Sequence, residues 1–437
     1  MKNSSIVFAV MCIFGWSVSA AQPRMLTVGE SVNIGLENSR VLHASKMKSE
    51  YAGSKASEMS AMLFPSVKLQ ASYQHLSEVP EFKIPFPGVP TIFPYIPNTY
   101  TARASLQQPL FTGWKLQGAA DNASYQAEAS RSDVAKDRDE LVFNIRSAYW
   151  GLFRAKEVQR LADENVTQVS AHLQDIENLL NQGLATNNDV LKVKVQLSNS
   201  RILQSDAANN VRVAAIVFNS TIGIALDTKV GIASPLTSST KDFPELETIL
   251  KSAFQQRPDV LALESRVKAA DAGIVAAAGG WFPQIFLTGN YYYSRPNQRI
   301  LPSKDEFKDT WDFGISLQFD LWNNLTAMHQ TNQAKAQYEQ TKDALATLRD
   351  GITLEVMQSY LNYQQAKERI HLAEQSVGQA NESYRITAEK FKTGLTTSTE
   401  LLDAEVALLQ SKLQFTQSLV EHELAQARLE KAIGELH

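Results

Sequence analysis

The sequence predicts a mixed α and β membrane protein in which each of two repeats joins a pair of membrane-length strands to long helices. Three observations carry this reading. The chain repeats itself over roughly 200 residues, short segments alternate apolar and polar side chains, and two proline-free stretches exceed what any compact domain requires. The stretch AYWGLFRAKEVQRLADENV at 148–166 returns as SYLNYQQAKERIHLAEQSV at 359–377. At an offset of 211, Ser105-Leu106-Gln107 falls on Ser316-Leu317-Gln318, Tyr149 on Tyr360, Gly183 on Gly394 and Ile222-Gly223 on Ile433-Gly434, with no gap. Phe64-Pro65 matches Phe282-Pro283 at an offset of 218, which places a length difference between segment 78–99 and its counterpart near 295–309.

The amino terminus supplies a compartment. Lys2 precedes an apolar run from Ile6 to Trp16 and the small-residue pattern Val18-Ser19-Ala20, so 1–20 reads as a secretory signal peptide. Cys12, the one cysteine, lies inside it behind Ala9-Val10-Met11, a poor match to a lipoprotein box. A mature chain from about Ala21 then has no cysteine, which excludes disulfides and thiolate metal sites. The net charge of -4, with 20% charged residues, gives no excess of base for a nucleic-acid or anionic-membrane partner. Beyond residue 20 no apolar run is long enough for a spanning helix, so a membrane crossing has to use strands.

The elements follow in the same order in a first repeat (21–223) and a second (244–437), joined by a linker at 224–243. Helical stretches at 27–62 and 244–280 end at the Phe-Pro pairs, since proline disfavours a helical residue before it. Strands follow at about 66–76, 99–111, 284–294 and 310–322. In the first, Val67, Leu69, Ala71 and Tyr73 alternate with Lys68, Gln70, Ser72 and Gln74. In the last, Trp311, Phe313, Ile315, Leu317, Phe319 and Leu321 alternate with polar residues or glycine. A length of about ten residues suits a tilted membrane strand. An ordinary half-buried sheet explains any one segment. Four matched segments, the signal peptide and aromatics near strand ends (Tyr73, Tyr100, Phe111, Tyr291, Trp311, Trp322) favour the membrane. Helices then run from about 113 to 181 and 324 to 392, on the order of 100 Å each. Return helices at 188–221 and 399–432 complete each repeat, and Leu402, Val406, Leu409, Leu413, Thr416, Val420, Leu424 and Ala427 form a heptad-like seam.

Four strands cannot close a barrel, and an open edge in lipid leaves backbone groups unpaired, so a membrane-spanning chain must oligomerise. Two copies would supply eight strands and three would supply twelve. The duplication, the Phe-Pro pairs, Arg257-Pro258-Asp259 and the turns Gln182-Gly183-Leu184 and Thr393-Gly394-Leu395 resemble the TolC-type outer membrane efflux and export channels over essentially the whole mature chain. That resemblance implies a homotrimer. Its 12-stranded β-barrel, set among outer membrane lipids, would be continuous with a long periplasmic α-helical coiled-coil barrel. It would act as a passive conduit for small molecules or polypeptides in a tripartite efflux or type I secretion system. The implied partners are a periplasmic adaptor (membrane fusion) protein and an inner-membrane efflux pump or ABC exporter. The competing reading is a periplasmic coiled-coil adaptor, although adaptors carry one hairpin and small β-domains. No nucleophile elbow or phosphate-binding loop appears, and His422-Glu423 lacks a second histidine at zinc-binding spacing, so no enzyme, metal or cofactor is expected.

The hairpin turns read GLATNNDVLKVKVQL (183–197) and GLTTSTELLDAEVAL (394–408). Gly183 and Gly394 suit a left-handed position after a helix, and Thr186 with Asp189, like Thr397 with Glu400, has capping-box spacing. Capping does not explain Asp403, one turn beyond Glu400. The resemblance implies that these tips close a periplasmic entrance, with Asp189, Glu400 and Asp403 on acidic positions, Phe391 where the family has a tyrosine and Thr396 where it has an arginine. The chain departs from the pattern at those last two, and the carboxylates are expected to favour cations. The proline-rich segment 78–99 reads as an external loop of the first strand pair, or as a proline-rich ligand.

Overall fold

The computed structural model describes residues 24–78, 95–234, 241–322 and 324–436. The signal peptide, Cys12 and most of the proline-rich segment lie outside them. In chain order the elements are β1 (Arg24–Leu26), α1 (Val28–Asn38), α2 (Arg40–Ala61), β2 (Ser66–His75), β3 (Asn98–Phe111), α3 (Lys115–Asn181) and α4 (Asn187–Ile222). There follow β4 (Val230–Ile232), α5 (Leu246–Gln256), α6 (Pro258–Ala278), β5 (Gln284–Arg295), β6 (Lys308–Gln318), α7 (Asn324–Lys392) and α8 (Ser398–Ile433). A single 3₁₀ turn, Gly279–Trp281, leads from α6 into β5. The chain forms two units, one built from the residues up to Asn38, Asn144–Thr240 and Ala366–Leu424, the other from Ser39–Phe143, Lys241–Gln365 and Ala425–His437. Each unit draws on both halves of the sequence, and α3, α7 and α8 contribute to both.

Where the elements differ from the sequence reading, local chemistry gives the reason. The stretch 27–62 is two helices, because Ser39 has extended backbone and its hydroxyl accepts the Leu42 N–H as the N-cap of α2. The stretch 244–280 also divides, because Pro258 holds Arg257 at φ -64° and ψ 125° and starts α6 at its first turn. Strands β1 and β4 pair in parallel and were not anticipated, three residues being too short for any periodicity to register. Strand β6 ends at Gln318 rather than 322, since the Asp320 carboxylate accepts the Trp322 N–H at 3.2 Å and turns the chain out of the sheet. The seam of α8 also shifts. Near the hairpin turn the buried residues include Leu401, Glu405 and Leu408, one position before Leu402, Val406 and Leu409, and of the expected seam only Thr416, Val420 and Ala427 are buried, with Leu424 half-buried. Near the turn α8 packs into a cluster with residues of α3, α4 and α7, so its apolar stripe is wider than a two-helix seam and Leu402 lies at its margin.

In the first unit, the fully buried Tyr149 of α3 fixes the β1–β4 pair: its hydroxyl donates to the Leu26 carbonyl and accepts the Ser234 N–H, both at 3.0 Å. Lys156, two turns on, donates to the Val230 carbonyl at 2.8 Å. In the second unit, Ile249, Val260, Ile352, Val356, Leu429 and Ile433 form the core, and the Tyr363 hydroxyl donates to the Lys241 carbonyl at 2.6 Å. The repeat aligns Tyr149 with Tyr360, yet the tether in the second half comes from Tyr363. Gly118 permits α3 to meet α6 backbone to backbone, because a Cβ there would stand 2.6 Å from the Ala276 nitrogen and 2.9 Å from the Ala272 carbonyl oxygen.

The break between α5 and α6 is held by Arg257. Its guanidinium grips Asp259 bidentately at 3.1 and 2.8 Å, donates to Glu355 at 2.8 Å and donates to the Ala432 carbonyl at the end of α8 at 3.0 Å. Burial opposes ionisation of Asp259, but the hydrogen bonds and charge of Arg257 outweigh it and hold the carboxyl below its ordinary range. A depressed folded-state value means that this contribution is complete above the unfolded carboxyl value, about 3.9, and is lost as pH falls through the folded one. Arg257→Gln should cost about 2 kcal/mol at neutral pH, less than a fully buried pair because Glu355 is 43% exposed. Thermal unfolding checks this, and the deficit should shrink on acidification.

Candidate functional sites: the sheet faces and the hairpin tips

The four longer strands form one antiparallel sheet in the order β2-β3-β5-β6. Register sorts its side chains into two faces. Leu69, Ala104, Tyr291 and Trp311 make one cross-strand row, and Val67, Leu106, Gly289 and Phe313 the next. On the opposite face lie Lys68, Ser105, Asn290 and Asp312, then Gln70, Arg103, Tyr292 and Thr310. Burial runs opposite to that of a water-soluble sheet: Trp311, Phe313, Ile315 and Leu317 are 73, 65, 68 and 66% exposed, while Thr310, Asp312 and Gly314 between them are partly covered. Leu69 on β2 is 81% exposed. A contiguous apolar face of this kind is costly in water and stable in hydrocarbon.

The polar face carries its own network. Arg103 donates to the Asn290 side-chain oxygen at 3.2 and 2.7 Å, Asn290 donates to Asp312 at 2.6 Å, and Arg299 donates to Asp312 at 2.5 Å. The Tyr292 ring lies 5.2 Å from the Arg103 guanidinium and 4.7 Å from that of Arg299. Charged groups are thus joined across three strands on the face opposite Trp311 and Phe313.

Aromatic rings gather toward both ends of the sheet. At one end Tyr73 and Tyr100 stand 5.0 Å apart, with Phe307 6.0 Å from Tyr100 and stacked on Tyr293 at 5.1 Å. At the other, Trp114 meets Phe111 and Phe282 edge-on at 5.1 and 5.4 Å. Trp114 has a left-handed φ of 63°, a strained conformation for a bulky residue that lets its ring meet both phenylalanines. Of the aromatics expected near strand ends, Tyr73, Tyr100 and Phe111 are there, Tyr291 and Trp311 face each other within β5 and β6, and Trp322 lies beyond β6 in a turn at 94% exposure. Phe307, Tyr293, Trp114 and Phe282 complete the clusters. They escape the strand pattern because three of them lie outside the strands.

Both helical hairpins turn on glycine. Gly183 and Gly394 have φ of 76° and 75°. The N–H groups of Leu184 and Leu395 reach back to the carbonyls of Leu179 and Lys390 at 2.9 and 2.8 Å, which closes the preceding helices. Thr186 and Asp189 form a complete capping box: Asp189 N–H donates to the Thr186 hydroxyl oxygen at 3.3 Å, and Thr186 donates to the carboxylate from its hydroxyl at 2.6 Å and its backbone at 3.1 Å. The Thr186 hydroxyl and backbone bonds hold the Asp189 carboxyl below its usual range. The second box is half formed. Thr397 accepts the Glu400 N–H at 3.2 Å, but the Glu400 carboxylate accepts the Thr396 hydroxyl instead of turning back to Thr397. Glu400 and Asp403 are both exposed, one turn apart. Phe391 is not at the surface of the tip. It is buried with Val169, Ile176, Val190, Val193 and Leu401, edge-on to His172 at 5.2 Å.

The sequence reading missed a buried polar group directly behind this cluster. His172 on α3 contacts Glu405 at 3.3 Å and Ser398 at 3.1 Å, both on α8. The available signal was the position of Glu405 in the apolar stripe, between Leu401 and Leu408 at helical spacing.

The chain matches the outer membrane efflux protein family over residues 32–223 and 249–435. It is 20% identical over 331 residues to the outer membrane efflux protein BepC of Brucella suis, covering 76% of this chain and 70% of the relative. It is 22% identical over 323 residues to the outer membrane protein TolC of Vibrio cholerae, covering 72% of each. The fold superposes on the solved outer membrane protein VceC of Vibrio cholerae with a TM-score of 0.79 at 18% identity, over 93% of this chain and 96% of that one. A helical hairpin protein with an apolar-out antiparallel sheet is the class that these faces define, and the chain belongs to the outer membrane efflux protein family. It is an outer membrane channel for efflux that extends into the periplasm, as the sequence reading expected.

The capping box gives a direct test of the first tip. Thr186→Ala should destabilise the α3–α4 turn by about 1 kcal/mol at neutral pH. Because the Asp189 value is depressed, the difference from wild type should fade as pH drops below the ordinary carboxylate range. Amide hydrogen exchange across 183–193, followed at both pH values, measures it.

Proposed function

We propose that three copies of the chain close into a twelve-stranded barrel in the outer membrane, continued by their helices as a periplasmic tunnel, and that this assembly is a passive conduit for export. The single observation that carries the reading is the four-stranded sheet with its apolar face outward, because among the described residues β2 and β6 each have one hydrogen-bonded neighbour and keep an open edge. In hydrocarbon those edges require partners, and three identical sheets supply the number of strands the family uses. The polar face, with Lys68, Arg103, Asn290 and Asp312, would line the lumen. The two repeats (21–223 and 244–437) would then place six similar hairpins around one axis, which gives the duplication its use. A periplasmic adaptor docking at the tunnel and an inner-membrane pump or ABC exporter complete the proposed system, since the chain carries no motif for nucleotide hydrolysis. The adaptor reading of the chain itself has no place for a membrane-length sheet with an apolar face.

The hairpin tips are the proposed periplasmic entrance. Asp189, Glu400 and Asp403, repeated by the trimer, put exposed carboxylates around it and should favour cations. Two measurements test these assignments. Ile315→Arg, on the apolar face, should cost about 2–4 kcal/mol of barrel stability in lipid and reduce the protein recovered from outer membranes, whereas Ser316→Arg on the polar face should be tolerated. Equal tolerance of both would remove the lipid-face assignment. In planar bilayers, the Glu400→Ala, Asp403→Ala double variant should lose cation selectivity relative to wild type, and unchanged selectivity would exclude these carboxylates from the entrance.

A further inference from the structure

His172 and Glu405 form a pair in which both side chains are 2% exposed, an arrangement that must be justified by what it holds together. The imidazole extends from α3 and is clamped by the other hairpin: Nδ1 lies 3.3 Å from the Glu405 carboxylate, Nε2 lies 3.1 Å from the Ser398 hydroxyl, and the Phe391 ring of α7 stands edge-on to it. Ser398 is the first residue of α8 and lies four positions beyond Gly394, so the contact reaches the base of the tip. One element of each hairpin is therefore joined by polar bonds inside an otherwise apolar cluster.

The groups that face the pair come from every helix around it. Helix α8 gives Glu405 and Ser398. Helix α7 gives Tyr384, whose phenol is pushed up by burial and by the nearby Glu405 charge and is hydrogen-bonded to Gln168 of α3. Helix α4 presents Val190, Val193 and Leu197 to the same cluster. A neutral imidazole with its proton on Nδ1 donates to Glu405 and accepts from the Ser398 hydroxyl. A protonated one donates through both nitrogens and turns the Glu405 contact into a charge-assisted bond. Parting the hairpins would leave a carboxylate and an imidazole of the cluster without these partners, and the cost is greater when both are charged.

We propose that the His172–Glu405–Ser398 group is the buried tie between the two hairpins at the entrance, beside the exposed Lys192–Thr399 bond, and that a proton on His172 tightens it, so that the channel opens less readily as the periplasm acidifies. The proposal rests on the reading of the hairpin tips as the entrance and adds a residue-level regulator to it.

The test uses the purified full-length protein in two measurements. In planar bilayers, wild-type open probability should fall several-fold between pH 7.5 and 5.5, and His172→Gln and Glu405→Gln should each remove most of that dependence while remaining more open at the acid end. In parallel, hydrogen-exchange protection of residues 398–408 in detergent, corrected for intrinsic rate, should rise on acidification in wild type and stay flat in both variants. Ser398→Ala, which keeps the charge pair, should retain the direction of the pH effect. A pH response unchanged by His172→Gln, or protection that does not vary with pH in wild type, overturns the tie. If the wild type does not conduct, the conduit reading fails, and the exchange measurement still decides whether His172 couples the hairpins. Should His172→Gln not fold, Glu405→Gln carries both comparisons.

Discussion

Backbone hydrogen bonding in hydrocarbon is the constraint on which the rest of this structure depends. Each unpaired N–H or C=O in a bilayer core costs several kcal/mol, so a sheet there cannot end in an open edge. Here a four-stranded sheet presents Trp311, Phe313, Ile315 and Leu317 outward, holds Arg103, Asn290 and Asp312 in a network on the other face, and among the described residues leaves β2 and β6 each with one neighbour. No rearrangement within four strands of this length pairs both edges, because the smallest single-chain barrels use eight. Closure by further copies, as proposed above, would satisfy the backbone.

The duplicated halves then meet similar requirements with different residues. Where α1 gives way to α2, the Asn38 side chain donates to the Ile222 carbonyl at 3.3 Å and ends α4. At the corresponding junction before α6, Arg257 donates to the Ala432 carbonyl and ends α8, while also gripping Asp259 and Glu355. Tyr149 and Tyr363 each tether the segment near the middle of the chain, at Ser234 and Lys241, from positions one turn out of register, and Tyr149 also donates to the Leu26 carbonyl at the end of β1. In each case a side chain donates to a backbone carbonyl at the end of an element or in a connection, and different residue types fill that role. The tips diverge further. One capping box is complete and the other is diverted to Thr396, and beside the exposed Lys192–Thr399 bond a buried contact joins the hairpins through His172 and Glu405, whose counterparts in the repeat are Ser383 and Lys194.

What could be read from the sequence depended on period and length. The four strands were legible because alternation over about ten residues is hard to mistake, and the long helices because no proline interrupts them. The turns were legible because Gly183 and Gly394 sit where only a left-handed residue fits. The breaks at Ser39 and Arg257 were not read, although Ser39 carries a capping side chain and Pro258 a known preference at N1, because apolar periodicity runs through both. The end of β6 was overrun for a similar reason: Phe319 and Leu321 continue the alternation while Asp320 turns the backbone. The burial of Phe391 and the pairing of His172 with Glu405 depend on four helices meeting, which no single-helix pattern encodes.

The central claim is that the sheet is complete only among several copies. Native mass spectrometry of the mature protein extracted from outer membranes in mild detergent tests it most directly. The account predicts a complex of three chains that dissociates only when the β-sheet signal is lost. A stable single chain that keeps its sheet and helices in detergent, with no larger species, would contradict it.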